Sequence, residues 1–335
     1  MKKMQMFLAL LAATALLLSA CGAPASETPT ATVLPATEAS PSVAWVIGTG
    51  GKGGVFYPYG EGLAKILTAN IPSANVTFVE TAGSVENMKK IQSGELQIGL
   101  STVDSAFDAI QGQGAYAESG KVPAQALAVL YTSFVHVVAS ETSGIQSVAD
   151  MKGKTISVGD SGSSTEGAAN RVLEAAGIDP QGEITRRNLS IADATAAMST
   201  GQIDSFFWIG GLPTKAISDM LAAGTQVKFI DASQYVAGLA EKYGPVYHSF
   251  TLSKDIYGAE TDVPGIGIGN ILFANENLPE EQAYQIVATI FAHLDEVHAV
   301  HPQAASLTLE SATVGSSIAF HPGAIRFYTE QRVWK

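Results

Sequence analysis

From Val43 onward, strand-like apolar runs alternate with helix-like segments, and this alternation restricts the fold more than any other feature of the chain. It opens with the strand Ala44-Trp45-Val46-Ile47-Gly48, then a helix over 58–70, a strand over 76–80, a helix over 85–93 and a strand over 96–100. Such a β-α-β-α-β order argues for a parallel sheet with helices packed on its faces. Ligands of α/β folds sit outside the carboxyl ends of the strands, so the loops at those ends carry the functional reading.

A second set repeats the arrangement, beginning after Val135-His136-Val137-Val138-Ala139. It has strands over 155–159, 205–209 and 227–230, and helices over about 166–176, 191–200 and 213–223. The chain then returns through 263–267 and 271–274 and closes with helices over 279–293 and around His321-Pro322. Residues 138–261 are therefore expected to form one lobe inserted into another built from 43–137 and 262–335, with two crossing strands between them. Two similar lobes on a double-stranded hinge describe a clamp that closes over a ligand and excludes water.

Ahead of these lobes, Lys2 and Lys3 precede an apolar stretch over 6–18 that is too short to span a bilayer, which predicts a secretory signal peptide over 1–20. The stretch runs into Leu18-Ser19-Ala20-Cys21, which resembles the lipobox of bacterial lipoproteins, and Cys21 is the expected lipidation site. Cys21 is the single cysteine, so the exported protein must be stable without an internal disulfide. Residues 21–42 are rich in Pro, Thr, Ser and Ala without apolar periodicity and read as a flexible tether between membrane and lobes.

Charge narrows the partners. The formal net charge is -12, and removing the two lysines of the signal peptide makes it -14. A body this acidic excludes nucleic acid and is a poor match for anionic lipid headgroups, so a bound anion must be held by local dipoles. Hydrophobic residues make up 46% of the chain and charged ones 15%, which suits a globular protein, expected to be monomeric. His298 and His301 stand three apart but have no cysteine or glutamate partner at ligand spacing, so neither a metal nor a cofactor is expected.

The densest local signal is the glycine-rich segment over 47–58, directly after the first strand and before the first helix. Backbone without Cβ approaches a ligand closely, and its N–H groups at a helix start favour an anion. Gly48, Gly50 and Gly53 also fit a G-x-G-x-x-G dinucleotide fingerprint, with Glu80 where a ribose-binding acid would lie. Against a dinucleotide-dependent enzyme stand the export signal, the helix start displaced past the third glycine by Tyr57 and Pro58, and the unrelated middle lobe. A phosphate loop is excluded because Gly53 follows Lys52 where Ser or Thr is required. A hydrolase lacks both a G-x-S-x-G elbow and a histidine in a triad motif, so no enzyme is expected.

The strings Ile47-Gly48-Thr49-Gly50-Gly51 and Gly54-Val55-Phe56-Tyr57-Pro58-Tyr59-Gly60 resemble the opening motif of TAXI-family solute receptors, the extracytoplasmic components of tripartite ATP-independent periplasmic (TRAP) transporters. Further matches follow in order: residues 81–87, 98–104, 136–138, 160–166 and 206–213. The resemblance implies an α/β, two-lobed, type II periplasmic-binding fold without catalysis. It also implies a small carboxylate ligand, glutamate-like or 2-oxoglutarate-like, delivered to a TRAP-type membrane permease. A ligand-sensing lipoprotein that signals to a membrane partner is the alternative, and gene neighbourhood discriminates the two.

In the first lobe the expected contacts are Thr49, the backbone of Gly50, Gly51 and Gly54, the adjoining Val55 and Phe56, and Tyr57 as an aromatic wall or as helix-start packing. Ser84 opens the next helix as ligand contact or cap, and Asn87 is favoured as structural. Thr102 and Asp104 lie just past the third strand, where an acid would suit an ammonium group or merely cap the helix near Ser105. His136, in the hinge strand, is a satisfied core residue or a contact. The middle lobe offers Ser161, Gly162, Ser163, Ser164 and Thr165 at a helix start, which suits a carboxylate, with Ser163 and Glu166 also fitting a capping box. Opposite lie Trp208, as pocket wall or core, and Gly210 and Gly211, which admit close approach. No arginine falls in these loops, so a bidentate arginine clamp is not expected.

Overall fold

The computed structural model describes residues 43–72 and 74–335; the expected signal peptide, the tether and Cys21 lie outside the described residues. The first set comprises β1 (Val43–Gly48), α1 (Phe56–Asn70), β2 (Ala74–Val79), α2 (Ser84–Ser93), β3 (Ile98–Thr102) and α3 (Val103–Gln111). The long strand β4 (Ala124–Ser140) follows. The second set comprises β5 (Thr155–Ser157), α4 (Ser164–Ala175), β6 (Thr185–Arg187), α5 (Ile191–Ser199), β7 (Ser205–Gly210), α6 (Lys215–Ala222) and β8 (Val227–Phe229). The return runs through α7 (Val236–Tyr243), β9 (Tyr247–Leu252), α8 (Lys254–Tyr257) and β10 (Val263–Asn275). Helices α9 (Glu280–Ala292), α10 (Leu294–His298) and α11 (Pro322–Glu330) close the chain.

The strands lie in the order β2-β1-β3-β10-β4-β7-β5-β6, with β8 added on β4 and β9 on β10. Strand β1 is parallel to β2 and β3, and β5 is parallel to β6 and β7, so each end of the sheet is a parallel βαβ assembly. Between them β4 and β10 run antiparallel to each other and to their outer neighbours. Strand β4 pairs with β10 up to Phe134 and with β7 from Phe134 onward, so a single strand passes from one half of the molecule to the other. Its 17 residues are a correction to the expected short strand at 135–139, and β10 is one strand of 13 residues where two runs were expected. Most of β4 is buried on both faces, and a strand sandwiched between layers shows no alternation to mark its start.

Local patterning explains the helices that hold the site. Helix α1 buries Tyr59, Leu63, Ile66 and Leu67, a stripe at helical spacing, against the first half of the sheet. Leu63 and Leu67 are fully buried, and each such side chain contributes about 1.5–3 kcal/mol. In the second half Ile191, Ala194 and Met198 of α5 and Ile217 of α6 pack on Phe206 of β7 and Val138 of β4 as a separate core. Among the described residues no helix is long and apolar enough to cross a membrane, and no group of three or more His, Cys, Asp or Glu could hold a metal.

Candidate ligand-binding cleft

Three helix starts converge on a narrow cleft between the two halves of the sheet. The loop into α1 presents Gly50, Gly51, Gly54, Val55 and Phe56, and the turn into α2 presents Ala82, Gly83 and Ser84, with Thr102 beside it. The floor is Tyr131 and Ser133 of β4. Across from the first two helix starts, Ser163, Ser164 and Thr165 open α4, and Trp208, Ile209 and Gly210 end β7. The first N–H groups of an α-helix have no partner within it and sit at the positive end of its dipole, so this convergence is an anion-favouring surface.

Buried polar contacts fix these loops. Asn87 donates from Nδ2 to the carbonyls of Thr49 (2.7 Å) and Leu100 (2.8 Å), and its Oδ1 accepts from Thr81 Oγ1 (2.8 Å), tying together the ends of β1, β2 and β3. Gly83 has φ 121°, a left-handed value that lets the chain turn sharply into α2. Glu80 accepts from the backbone N–H of Lys52 (3.0 Å) and pairs with its Nζ (3.6 Å), so the acid of the dinucleotide-like pattern folds back on its own glycine loop.

Hydrogen-bond direction shows what the cleft offers. Asn270 Nδ2 donates to Ser133 Oγ (2.9 Å) and to the Tyr131 carbonyl (3.0 Å), leaving the Ser133 proton for another acceptor. Thr165 Oγ1 accepts from the Ile209 N–H (3.2 Å), and its proton is likewise uncommitted. Ser84 Oγ accepts from the Thr102 N–H (3.0 Å) and donates across the cleft to Ser164 Oγ (3.2 Å), whose own proton is left over. Ser163 is different: it donates to the Asp160 carbonyl (2.7 Å) and accepts from the Glu166 N–H (3.3 Å), so it caps α4. Among the described residues lining the cleft none carries a charged side chain.

Seven of the expected contacts lie off this lining. Thr49 is buried and donates to the Val79 carbonyl (2.8 Å), and Tyr57 packs edge-on against Phe78. Gly211 is pressed between Val55, Tyr131 and Gln303. Ser161 and Gly162 face an outer crevice beside the cleft, where the Gly162 carbonyl accepts from the Glu86 N–H (3.0 Å). Asp104 sits inside the first turn of α3, whose N-cap position is Thr102 without a side-chain cap bond, and the Asp104 carboxylate accepts from Tyr247 OH (2.9 Å) and the Ser105 N–H (2.8 Å). Arg171 joins the same cluster by donating to Tyr247 OH (2.8 Å) and to Asp108, whose pKa burial pushes up against the pull of the guanidinium.

His136 is fully buried at the crossing of β4 and β7. Tyr257 OH accepts from the Thr214 N–H (2.6 Å), so its proton goes to His136 Nε2 (3.2 Å), and Nδ1–H donates to the Trp208 carbonyl (3.1 Å). The neutral ring is thereby satisfied, and burial lowers its pKa from 6.5 to about 4. Between those values the folded protein binds fewer protons than the unfolded chain, so stability present above pH 6.5 is lost as pH falls to 4. The expected loss from this residue is about 3 kcal/mol. Chemical denaturation across that range should show a shallower acid slope for His136→Asn; an identical slope contradicts the assignment.

Tyr131 and Ser133 were not anticipated, nor were Ala82, Gly83 and Ile209. A signal for the first two existed: they stand two apart in a mostly apolar run, the spacing that puts both on one face of a strand.

Comparisons with known proteins agree with this architecture. The model of the NMT1-like family matches residues 47–331. A binding-protein component of a phosphonate ABC transporter from Pseudomonas aeruginosa superposes with TM-score 0.51 at 15% identity, covering 78% of this chain and 79% of that one. A protein from Bordetella bronchiseptica RB50 superposes with TM-score 0.50 at 18% identity, covering 85% and 88%. The periplasmic aliphatic sulphonate binding protein of Escherichia coli superposes with TM-score 0.44 at 18% identity, covering 87% and 84%. At these identities the likeness to the first two concerns the fold alone, a mixed α/β fold resembling that of periplasmic binding proteins.

Proposed function

The chain belongs to the NMT1-like family, and on that premise we propose that it is an extracytoplasmic solute-binding protein, without catalytic activity, that captures a small carboxylate for a membrane permease. The observation that carries this reading is the convergence of three helix starts and three donor-poised hydroxyls, on Ser133, Ser164 and Thr165, in one cleft between two halves joined by β4 and β10. Donors without a charged partner suit a ligand that brings its own acceptors and negative charge. The TAXI-like motifs support a glutamate-like or 2-oxoglutarate-like solute and a TRAP-type permease. In this reading residues 43–137 with 262–335 form one lobe and 138–261 the other, and Cys21 carries the lipid anchor.

Thermal unfolding of the protein with L-glutamate, 2-oxoglutarate and other small carboxylates tests the reading. A bound solute at a hundred times its Kd adds about 2.7 kcal/mol of stability, and no response to any of them contradicts the ligand class. Ser133→Ala and Thr165→Val should each weaken binding by about 10- to 100-fold, the worth of a hydrogen bond to a charged group. Ser163→Ala, by contrast, should cost about 1 kcal/mol of stability as a lost cap. Equal affinity losses at all three positions would contradict the directions assigned to these hydroxyls.

A further inference from the structure

We infer that the cleft selects acids that carry no ammonium group, so that of the two solute types named above it takes the 2-oxo acid and rejects the amino acid. The inference rests on the anion reading of the cleft and deepens it. An ammonium brings three donors and a positive charge, and taking it out of water is costly unless a carboxylate or several acceptors replace the water.

Each acid around the cleft is committed elsewhere or lies off its lining. Asp104, the residue placed in sequence to receive an ammonium, is 3% exposed, off the lining, and held by Tyr247 and the Ser105 N–H. Glu80 is spent on Lys52. Glu86 accepts from the Ala82 N–H (2.8 Å) and faces Lys90, and Glu166 is held by Arg186 (2.6 Å) and Asn188 (2.9 Å). Asp160, which burial and the neighbouring acids Asp193, Glu86 and Glu166 push upward, is likewise off the lining.

What faces the ligand has the opposite polarity. The Ser133 and Thr165 oxygens already accept from Asn270 and Ile209, and Ser164 accepts from Ser84, so each of these hydroxyls has a proton to give and one lone pair already used. A carboxylate and a carbonyl oxygen satisfy such donors. An ammonium in the same place finds only the one remaining lone pair on each of these oxygens and no carboxylate, and it leaves those donors unpaired as well.

Calorimetric titration of the full chain at pH 7 with matched pairs tests this: 2-oxoglutarate against L-glutamate, pyruvate against L-alanine, ethanesulfonate against taurine, and ethylphosphonate against 2-aminoethylphosphonate. Within whichever acid class binds, the amine-free member should bind tighter by about tenfold to a hundredfold, the effect of an unpaired charged group in a buried site. Equal or tighter binding of the amine-bearing member overturns this inference and leaves the anion reading standing. Absence of binding by every acid overturns the anion reading and this inference together.

Discussion

Replacing Arg171 with methionine should lower stability by about 3–5 kcal/mol, because it leaves the buried carboxylate of Asp108 without its cation. The side chains of Arg171 and Asp108 are only 12% and 11% exposed, so water does not make good the loss. Gln113 Nε2 still donates to Asp108 (3.0 Å), but a neutral donor does not replace a charge. Arg171 also stacks over Tyr243 at 4.1 Å, a contact that methionine keeps in part. The double replacement Arg171→Met with Asp108→Leu should recover part of the loss, since it removes the Asp108 charge but leaves the buried carboxylate of Asp104, linked to Arg171 through Tyr247, without the guanidinium. Denaturant unfolding of the two variants measures this, and a single-variant loss below about 1 kcal/mol would mean that the pair behaves as a solvated one.

Gly54→Ala should weaken solute binding by about 5- to 150-fold, the range that corresponds to an overpacking cost of 1–3 kcal/mol. A Cβ at Gly54 would lie 2.9 Å from Cζ2 and 3.1 Å from Cη2 of Trp208, across the cleft. The indole cannot swing aside freely, because its N–H donates to Thr214 Oγ1 (3.1 Å). Gly54 is not among the glycines with positive φ, so alanine is tolerated by the backbone, and the penalty arises only where the α1 loop meets β7. In the proposed two-lobed clamp, opening of the cleft would relieve the clash and confine the effect to the closed, solute-bound form. Calorimetry and thermal unfolding separate the outcomes: unchanged affinity, or an equal drop in Tm with and without solute, would refute the argument.

Both effects depend on contacts between segments far apart in the chain, which marks where reading residues in order stops being sufficient. The β1-α1-β2-α2-β3 series and the helices α4 and α5 were placed to within a few residues, because amphipathic spacing is a local property. The start of β4 escaped for the reason already given, and with it the two floor residues Tyr131 and Ser133. Strand β9 escaped because Tyr247–Leu252 has a mostly exposed, weakly patterned middle, and it is a strand through pairing with β10. Short-range patterns also left roles undecided. An aspartate two residues past a strand reads as cap or contact, and Asp104 was resolved by Tyr247, which lies 143 positions away.

Hydrophobic periodicity and the placement of glycine, serine and threonine before helices act over a few residues, so the sequence alone determined the alternating architecture and the loops that form the cleft. Which donors point inward, which acids are neutralised and how closely the halves approach follow from burial and from partners brought together by the sheet order. Those features belong to the tertiary structure, because the direction of a hydroxyl proton or the availability of a carboxylate depends on every neighbour it meets, and those neighbours come from both ends of the fold.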